Sequence, residues 1–296
     1  MRAQLAAFLD DRVPAGRLAR QLGVSLRPVE LHRFADGESL PLVPTGARRV
    51  VIYRSLHEPD AKLIPLLLAA DAWRRSGADH LTLVAPYLCY LRQDKVFRAG
   101  EPLSRDVVAP LLGAAFDRIV TVDPHLHRTR NLSEVFGADV AVGGAGPCLA
   151  QAIGKPGDGW IVVGPDGESH PWAASIAEAL NAPFLVLSKH RKGEHSVRLT
   201  DSGLAQVRGR RVVIADDICS GGATMEAAIP RLLAAGAATV DIAVTHALFD
   251  RNTERRLHAA GAGRILFTDS CRTSGAATPL APLLAQFLEK DFSDEP

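Results

Sequence analysis

Short apolar runs alternate with longer stretches of helical periodicity along most of this chain. The runs Val50–Tyr53, Leu81–Ala85, Ile119–Asp123, Ile161–Gly164, Phe184–Leu187, Val212–Ala215, Val240–Thr245 and Ile265–Thr268 predict strands. Most are continuous rather than alternating, which is the pattern of strands covered on both faces, as in a parallel sheet between helices. The stretches Lys62–Arg75, Ser104–Ala115, Trp172–Leu180, Thr224–Ala235, Asn252–Ala260 and Leu280–Lys290 predict helices. Pro65, Pro110 and Pro230 fall inside three of them, which predicts kinks or late starts. The expected class is α/β, with mainly parallel sheets flanked by helices.

The pattern also repeats. Arg48-Arg-Val-Val-Ile52 returns as Arg210-Arg-Val-Val-Ile214, Gly77-Ala78 as Gly236-Ala237, and Arg118-Ile-Val-Thr-Val-Asp123 loosely as Arg264-Ile-Leu-Phe-Thr-Asp269, in the same order. A spacing of about 150–160 residues is too long for a solenoid and suits two related domains. The boundary is expected in the glycine-rich stretches Gly143–Pro147 or Gly154–Gly159. This divides the chain into residues 1–145 and 146–296, with the last helix able to pack back on the first domain. A dinucleotide-binding reading of these glycines is weak, because no helical pattern follows them at the right place.

Composition sharpens this picture in a few places. The 296 residues are 47% hydrophobic, enough for packed cores and too many for a disordered chain. Lys and Arg number 34 against 33 Asp and Glu, so a general nucleic-acid binder is not expected. The longest apolar run, Leu63 to Ala70, falls well short of the ~20 residues of a membrane span. Asp10, Asp11 and Arg12 follow the first apolar stretch without a small-residue cleavage pattern, so no signal peptide is expected. The four cysteines (Cys89, Cys148, Cys219, Cys271) lack CxxC spacing, which fits reduced thiols in a cytoplasmic protein.

The sharpest chemical feature is Val212-Val-Ile-Ala-Asp-Asp-Ile-Cys-Ser-Gly-Gly-Ala-Thr224. A buried strand runs into two carboxylates, then into small residues, then into a helix. Ser220, Gly221, Gly222, Ala223 and Thr224 can expose backbone N–H groups at the helix start, which suits a phosphate. Asp216 and Asp217 are acceptors for hydroxyl groups of the same ligand. Phosphate on one side and hydroxyls on the other describe a sugar phosphate. A second candidate is the polar stretch Lys189-His-Arg-Lys-Gly-Glu-His195, which follows an apolar strand and reads as a closing loop.

The Asp216–Thr224 segment resembles the phosphoribosyl diphosphate (PRPP) motif of the phosphoribosyltransferase fold. Other segments narrow the resemblance to ribose-phosphate pyrophosphokinases, over nearly the whole chain. Phe34-Ala-Asp-Gly-Glu38, Pro86-Tyr-Leu-Cys-Tyr-Leu-Arg-Gln-Asp94, Thr121-Val-Asp-Pro-His125, Gly164-Pro-Asp166 and Lys189-His-Arg191 each look like motifs of that family, in its order. Thr245-His246 and Thr268-Asp269 match weaker signatures. The length and the Arg98–Pro102 segment are similar to the compact, archaeal-like branch.

The resemblance implies two phosphoribosyltransferase-type domains with a site in the cleft between them. It implies that ribose 5-phosphate takes a pyrophosphoryl group from ATP with Mg²⁺, giving PRPP and AMP. Lys189 and Arg191 would be the catalytic cations, and Asp216 to Thr224 the sugar-phosphate site. Arg92, Gln93 and His125 would contact ATP, with His125 and Asp166 toward the metal and His127 as a secondary candidate. Phe34, Asp36 and Glu38 would form an adenine pocket supplied by a neighbouring subunit, which makes the active unit a homo-oligomer. Some positions depart from the family. Ser220 stands where the longer enzymes have Asp, Gly221 where Thr is usual, Ala223 where Gly is usual and Lys62 where Asn is usual. Glu168 follows Asp166 in place of small residues. A Cβ at Ala223 is expected to obstruct a loop needing positive φ. These departures leave open a catalytically weak regulatory relative, or a related transferase using another sugar or donor.

Overall fold

The computed structural model describes residues 3–96, 98–126, 131–187, 190–191, 197–198, 201–271 and 277–292. The chain forms two compact units. The first is built from the chain up to Gly143, from Ser270 and Cys271, and from Pro279 onward. The second is built from Gly144–Asp269 with Ala277 and Thr278.

The first unit runs β1 (Gln4–Phe8), α1 (Arg12–Leu22), β2 (Leu26–Arg33), β3 (Ser39–Leu42), β4 (Arg49–Tyr53), α2 (Asp60–Arg75), β5 (His80–Val84), α3 (Ser104–Ala115), β6 (Arg118–Val122), α4 (Leu132–Phe136) and β7 (Asp139–Gly143). Its seven strands lie in the order β3-β2-β1-β4-β5-β6-β7. All neighbours are parallel except β2 and β3, an antiparallel hairpin that pairs Glu30 with Leu42 and Arg33 with Ser39. In β1, β4, β5 and β6 every residue after the first is buried. That is the outcome expected of continuous apolar runs covered on both faces. Ile52, Leu66, Trp73, Leu83, Leu112 and Phe116 share one core.

The second unit runs α5 (Gly146–Ile153), β8 (Trp160–Gly164), α6 (His170–Leu180), β9 (Phe184–Val186), β10 (His190–Arg191), β11 (Val197–Arg198), α7 (Asp201–Leu204), β12 (Arg211–Cys219), α8 (Ala223–Ala234), β13 (Thr239–Ala247), α9 (Arg251–Ala259) and β14 (Ile265–Phe267). Its main sheet has the order β14-β13-β12-β8-β9, parallel throughout. The last helix, α10 (Ala281–Phe292), belongs to the first unit and packs on α1.

The sequence echo coincides with topology. Arg48–Ile52 and Arg210–Ile214 fall on β4 and β12, and the looser pair falls on β6 and β14. In both units the later strands step away in the same sense, β1-β4-β5-β6 in one and β8-β12-β13-β14 in the other.

Three expectations are corrected. Pro65, Pro110 and Pro230 sit inside α2, α3 and α8, and none of these helices starts late. At Pro65 the missing N–H would have bonded Ala61, whose carbonyl instead accepts from the Arg33 guanidinium at 3.4 Å. The stretch Gly143–Pro147, after which no helical pattern is expected, leads directly into α5, which Gly146 and Pro147 open and where a proline lacks nothing the first turn needs. The strand expected to end at Ala215 continues to Cys219, carrying both aspartates within it.

Candidate active site

In the second unit the chain leaves β8 toward β9 on one side and β12 toward β13 and β14 on the other. The carboxyl ends of strands at such a reversal open a crevice where ligands of α/β sheets bind. Asp166 follows β8, and Asp216 and Asp217 lie on the last part of β12. Asp217 is buried and Asp216 half-buried. Burial, the neighbouring Asp217 with which it shares a hydrogen bond, and the charge of Asp166 push the Asp216 carboxyl up to about 8. Sugar hydroxyls or a cation would relieve this crowding of acceptors. The Asp166 carboxylate also accepts from the Glu168 N–H at 3.1 Å, which caps the turn Gly167–Ser169. Glu168 itself is exposed.

The segment after β12 forms a tight loop ahead of α8. Ser220 and Gly221 are exposed, Gly222 has φ +74°, and Ala223 and Thr224 are the first two residues of the helix. The Glu226 N–H bonds the Gly222 carbonyl at 2.9 Å, so the N–H groups before it lie beyond the helical ladder and face out at the positive end of the helix dipole. Such outward N–H groups at a helix start are the geometry an anion cradle requires. The expected obstruction at Ala223 is absent, because that residue is helical. The left-handed position is Gly222, where a Cβ would lie 2.7 Å from the Thr253 methyl group. A Cβ at Gly221 would meet open space.

In the first unit, Arg92 and Gln93 follow β5 and are exposed. The loop carrying them turns at Tyr90, whose φ of +62° is unusual for a bulky residue. The Gln93 carbonyl accepts from the Arg105 N–H of α3 at 3.5 Å. His125 follows β6 and is half-buried. The turn before it places Asp123 at φ +40°, next to Pro124, a second strained position beside a candidate ligand contact. Phe34, Asp36 and Glu38 form the β2–β3 turn, closed by the Phe34 N–H on the Glu38 carbonyl at 2.9 Å and the Glu38 N–H on the Asp36 carboxylate at 3.1 Å. Phe34 is 45% exposed and stacks edge-on against His32. Three strand spacings, about 14 Å, separate β2 from β5 within the sheet.

The first unit has its own reversal point between β1 and β4, and side chains close it. Arg54 is buried between Asp10 and Asp11. The Lys62 ammonium, also buried, donates to the Ser55 carbonyl at 2.8 Å. Burial lowers the Lys62 pKa despite the charge of Asp11. Lys62 is thus a cation of a self-contained charge cluster.

Lys189, Lys192 and His127 lie outside the described residues. Arg191 lies on β10, whose two residues pair antiparallel with β11, so the expected loop contains a short ladder. Among the described residues, no group of three His, Cys, Asp or Glu side chains is arranged to hold a metal ion. Nor is any described helix long and apolar enough to cross a membrane.

Residues 9–115 match the N-terminal domain of ribose phosphate pyrophosphokinase, and residues 148–269 match the phosphoribosyl transferase domain. The ribose-phosphate pyrophosphokinase of Methanopyrus kandleri is 35% identical over 276 residues, which cover 92% of this chain and 94% of that one. The chain belongs to the ribose-phosphate pyrophosphokinase family. The pyrophosphokinase of Corynebacterium efficiens is 32% identical over 297 residues, 95% of this chain and 90% of that one. The crystal structure of phosphoribosylpyrophosphate synthetase from Mycobacterium smegmatis superposes with a TM-score of 0.83 at 28% identity, covering 100% of both chains. The two units are therefore the two phosphoribosyltransferase-type domains of a pyrophosphokinase.

Proposed function

We propose that this chain transfers a pyrophosphoryl group from ATP to the anomeric hydroxyl of ribose 5-phosphate, giving PRPP and AMP. The hydroxyl oxygen attacks the β-phosphorus, and the bond from that phosphorus to the oxygen bridging it to the α-phosphorus breaks. AMP departs with that oxygen, and the hydroxyl proton is released. The observation that carries this reading is the pairing, in one unit, of an anion cradle at Gly221–Thr224 with the acids Asp216 and Asp217. The cradle suits the 5-phosphate, and the acids suit the ribose hydroxyls. Arg92, Gln93 and His125 are assigned to ATP, and Phe34, Asp36 and Glu38 to adenine from a neighbouring copy in a homo-oligomer.

Mg²⁺ enters with ATP as part of that substrate. The donors fit such an ion: Asp166 is a hard oxygen ligand whose charge bears on Asp216, and phosphate and water would complete the ion's ligands. When bound, it neutralises charge on the triphosphate. Asp166, with His125 on the nucleotide side, is the protein's contribution. Lys189 and Arg191 supply cations for the transferred group. The weak-paralogue reading rested partly on Ala223, and that position carries no strain.

Protein, ATP, Mg²⁺ and ribose 5-phosphate together should give AMP and PRPP in equal amounts. AMP formation that does not depend on the sugar would sink the proposal. Lys189→Ala should lower kcat by orders of magnitude with little change in sugar binding, and unchanged turnover would remove that assignment.

A further inference from the structure

The sugar-phosphate loop has a backstop that its motif does not contain. Arg256, on α9, donates through Nη2 to the Gly221 carbonyl at 2.7 Å. Its Nε donates to Glu226 on α8 at 3.2 Å. The same helix places Thr253 and Leu257 under Gly222. α9 is itself fixed at its start, where the Asp250 carboxylate accepts from the Thr253 N–H at 2.8 Å.

Two consequences follow from elementary geometry and charge. A trans peptide points its C=O and N–H in opposite directions. With the Gly221 carbonyl held on Arg256, the Gly222 N–H is aimed away from α9, and no carbonyl dipole of that peptide faces an incoming anion. Glu226 lies in the first turn of α8, where its negative charge would repel the phosphate that the helix N-terminus attracts. The guanidinium neutralises it.

We propose that Arg256 is a positioning residue for the 5-phosphate, holding the Gly221–Gly222 peptide in its anion-binding orientation and cancelling the charge of Glu226. This rests on the sugar-phosphate reading of the loop. It also offers a reason why the loop can work with Gly221, since the carbonyl is fixed from behind and the loop does not depend on a side chain at that position.

The test is binding of ribose 5-phosphate by calorimetry, together with steady-state kinetics, on full-length wild type, Arg256→Ala, Arg256→Lys and the double variant Arg256→Ala/Glu226→Gln. Arg256→Ala should weaken ribose 5-phosphate binding and raise its KM about tenfold, with the KM for ATP and the melting temperature close to wild type. Arg256→Lys, which keeps the charge without the fork, should lose about threefold. The double variant should recover part of the loss, which a purely structural role would not allow. Equal binding by wild type and Arg256→Ala would overturn the inference alone, as would a parallel loss for ATP with a lowered melting temperature. If Arg256→Ala does not fold, wild-type behaviour of Arg256→Lys overturns it. A wild type that binds no ribose 5-phosphate removes the sugar-phosphate reading and this inference together.

Discussion

The Tyr90 hydroxyl donates to the Asp60 carboxylate, joining the loop that carries Arg92 and Gln93 to the first turn of α2. That bond, more than the slight burial, pushes the phenol up to about 12. It ties down a residue whose left-handed backbone costs on the order of 1–3 kcal/mol and needs outside support. Tyr90→Phe keeps the ring and removes the tether. The KM for ATP should rise about threefold, while ribose 5-phosphate binding stays as it was. An unchanged KM for ATP would show that the strained turn holds without Asp60.

Much of the fold was legible because its central strands are apolar on both faces. β4, β5, β8, β12 and β13 announce themselves in this way. The sequence reading passed over β1, α1, and the β2–β3 hairpin. In β2 the segment Leu-Arg-Pro-Val-Glu-Leu-His-Arg leaves five of its eight positions exposed, because it lies near the sheet edge. In α1 three arginines sit beside a narrow buried stripe of Ala15, Leu18 and Ala19. The candidate phosphate loop, Asp216 to Thr224, stands out in the sequence because small residues between a strand and a helix have few other uses. Arg256 and Tyr90 were not. Their partners are distant in sequence, and nothing in the residues around them signals a hydrogen bond to a loop carbonyl or to Asp60.

Adjacent glycines in the loop should behave oppositely. Gly222→Ala meets both a φ of +74° and the Thr253 methyl group at 2.7 Å, so it should cost about 1–3 kcal/mol of stability and abolish most ribose 5-phosphate binding. Gly221→Ala should leave the melting temperature unchanged, as its Cβ meets nothing. Gly221→Thr adds a hydroxyl beside the cradle and should lower the KM for ribose 5-phosphate by about threefold. Thermal melts and sugar kinetics on the three variants decide the matter, and equal stability of the two alanine variants would contradict the assignment of strain.

The charge cluster at β1 and β4 should give the fold a pH-dependent term. Asp10 and Asp11 share Arg54 yet respond differently. The Asp10 side chain is 34% exposed, and against the opposing effect of burial Arg54 holds its carboxyl below the usual range. For Asp11, at 4%, burial outweighs Arg54 and Lys62 and pushes the carboxyl up to about 6. An acid whose value rises on folding binds its proton more tightly in the folded state. Its contribution is full below the unfolded value of 3.8 and is lost as pH climbs through about 6. Between those limits wild type should lose on the order of 2–3 kcal/mol relative to Asp11→Asn, which has no such proton to lose. Urea midpoints for both proteins at several pH values measure the difference, and parallel curves would exclude the effect.

The assignment of Phe34 to a neighbouring copy makes a prediction about mixed oligomers. Phe34→Ala should damage the site of the partner that receives the turn, whereas Asp217→Asn damages the site of the chain that carries it. Each variant alone should be nearly inactive when ATP and ribose 5-phosphate are limiting. Co-expressed with different tags and purified through both, paired copies contain one site with an intact Asp217 and an intact Phe34 from across the interface. The other site lacks both. Such pairs should recover about half of wild-type activity, the value set by one working site in two. If Phe34 instead served its own chain, every site in the mixture would carry one lesion and activity would stay at the level of the separate variants.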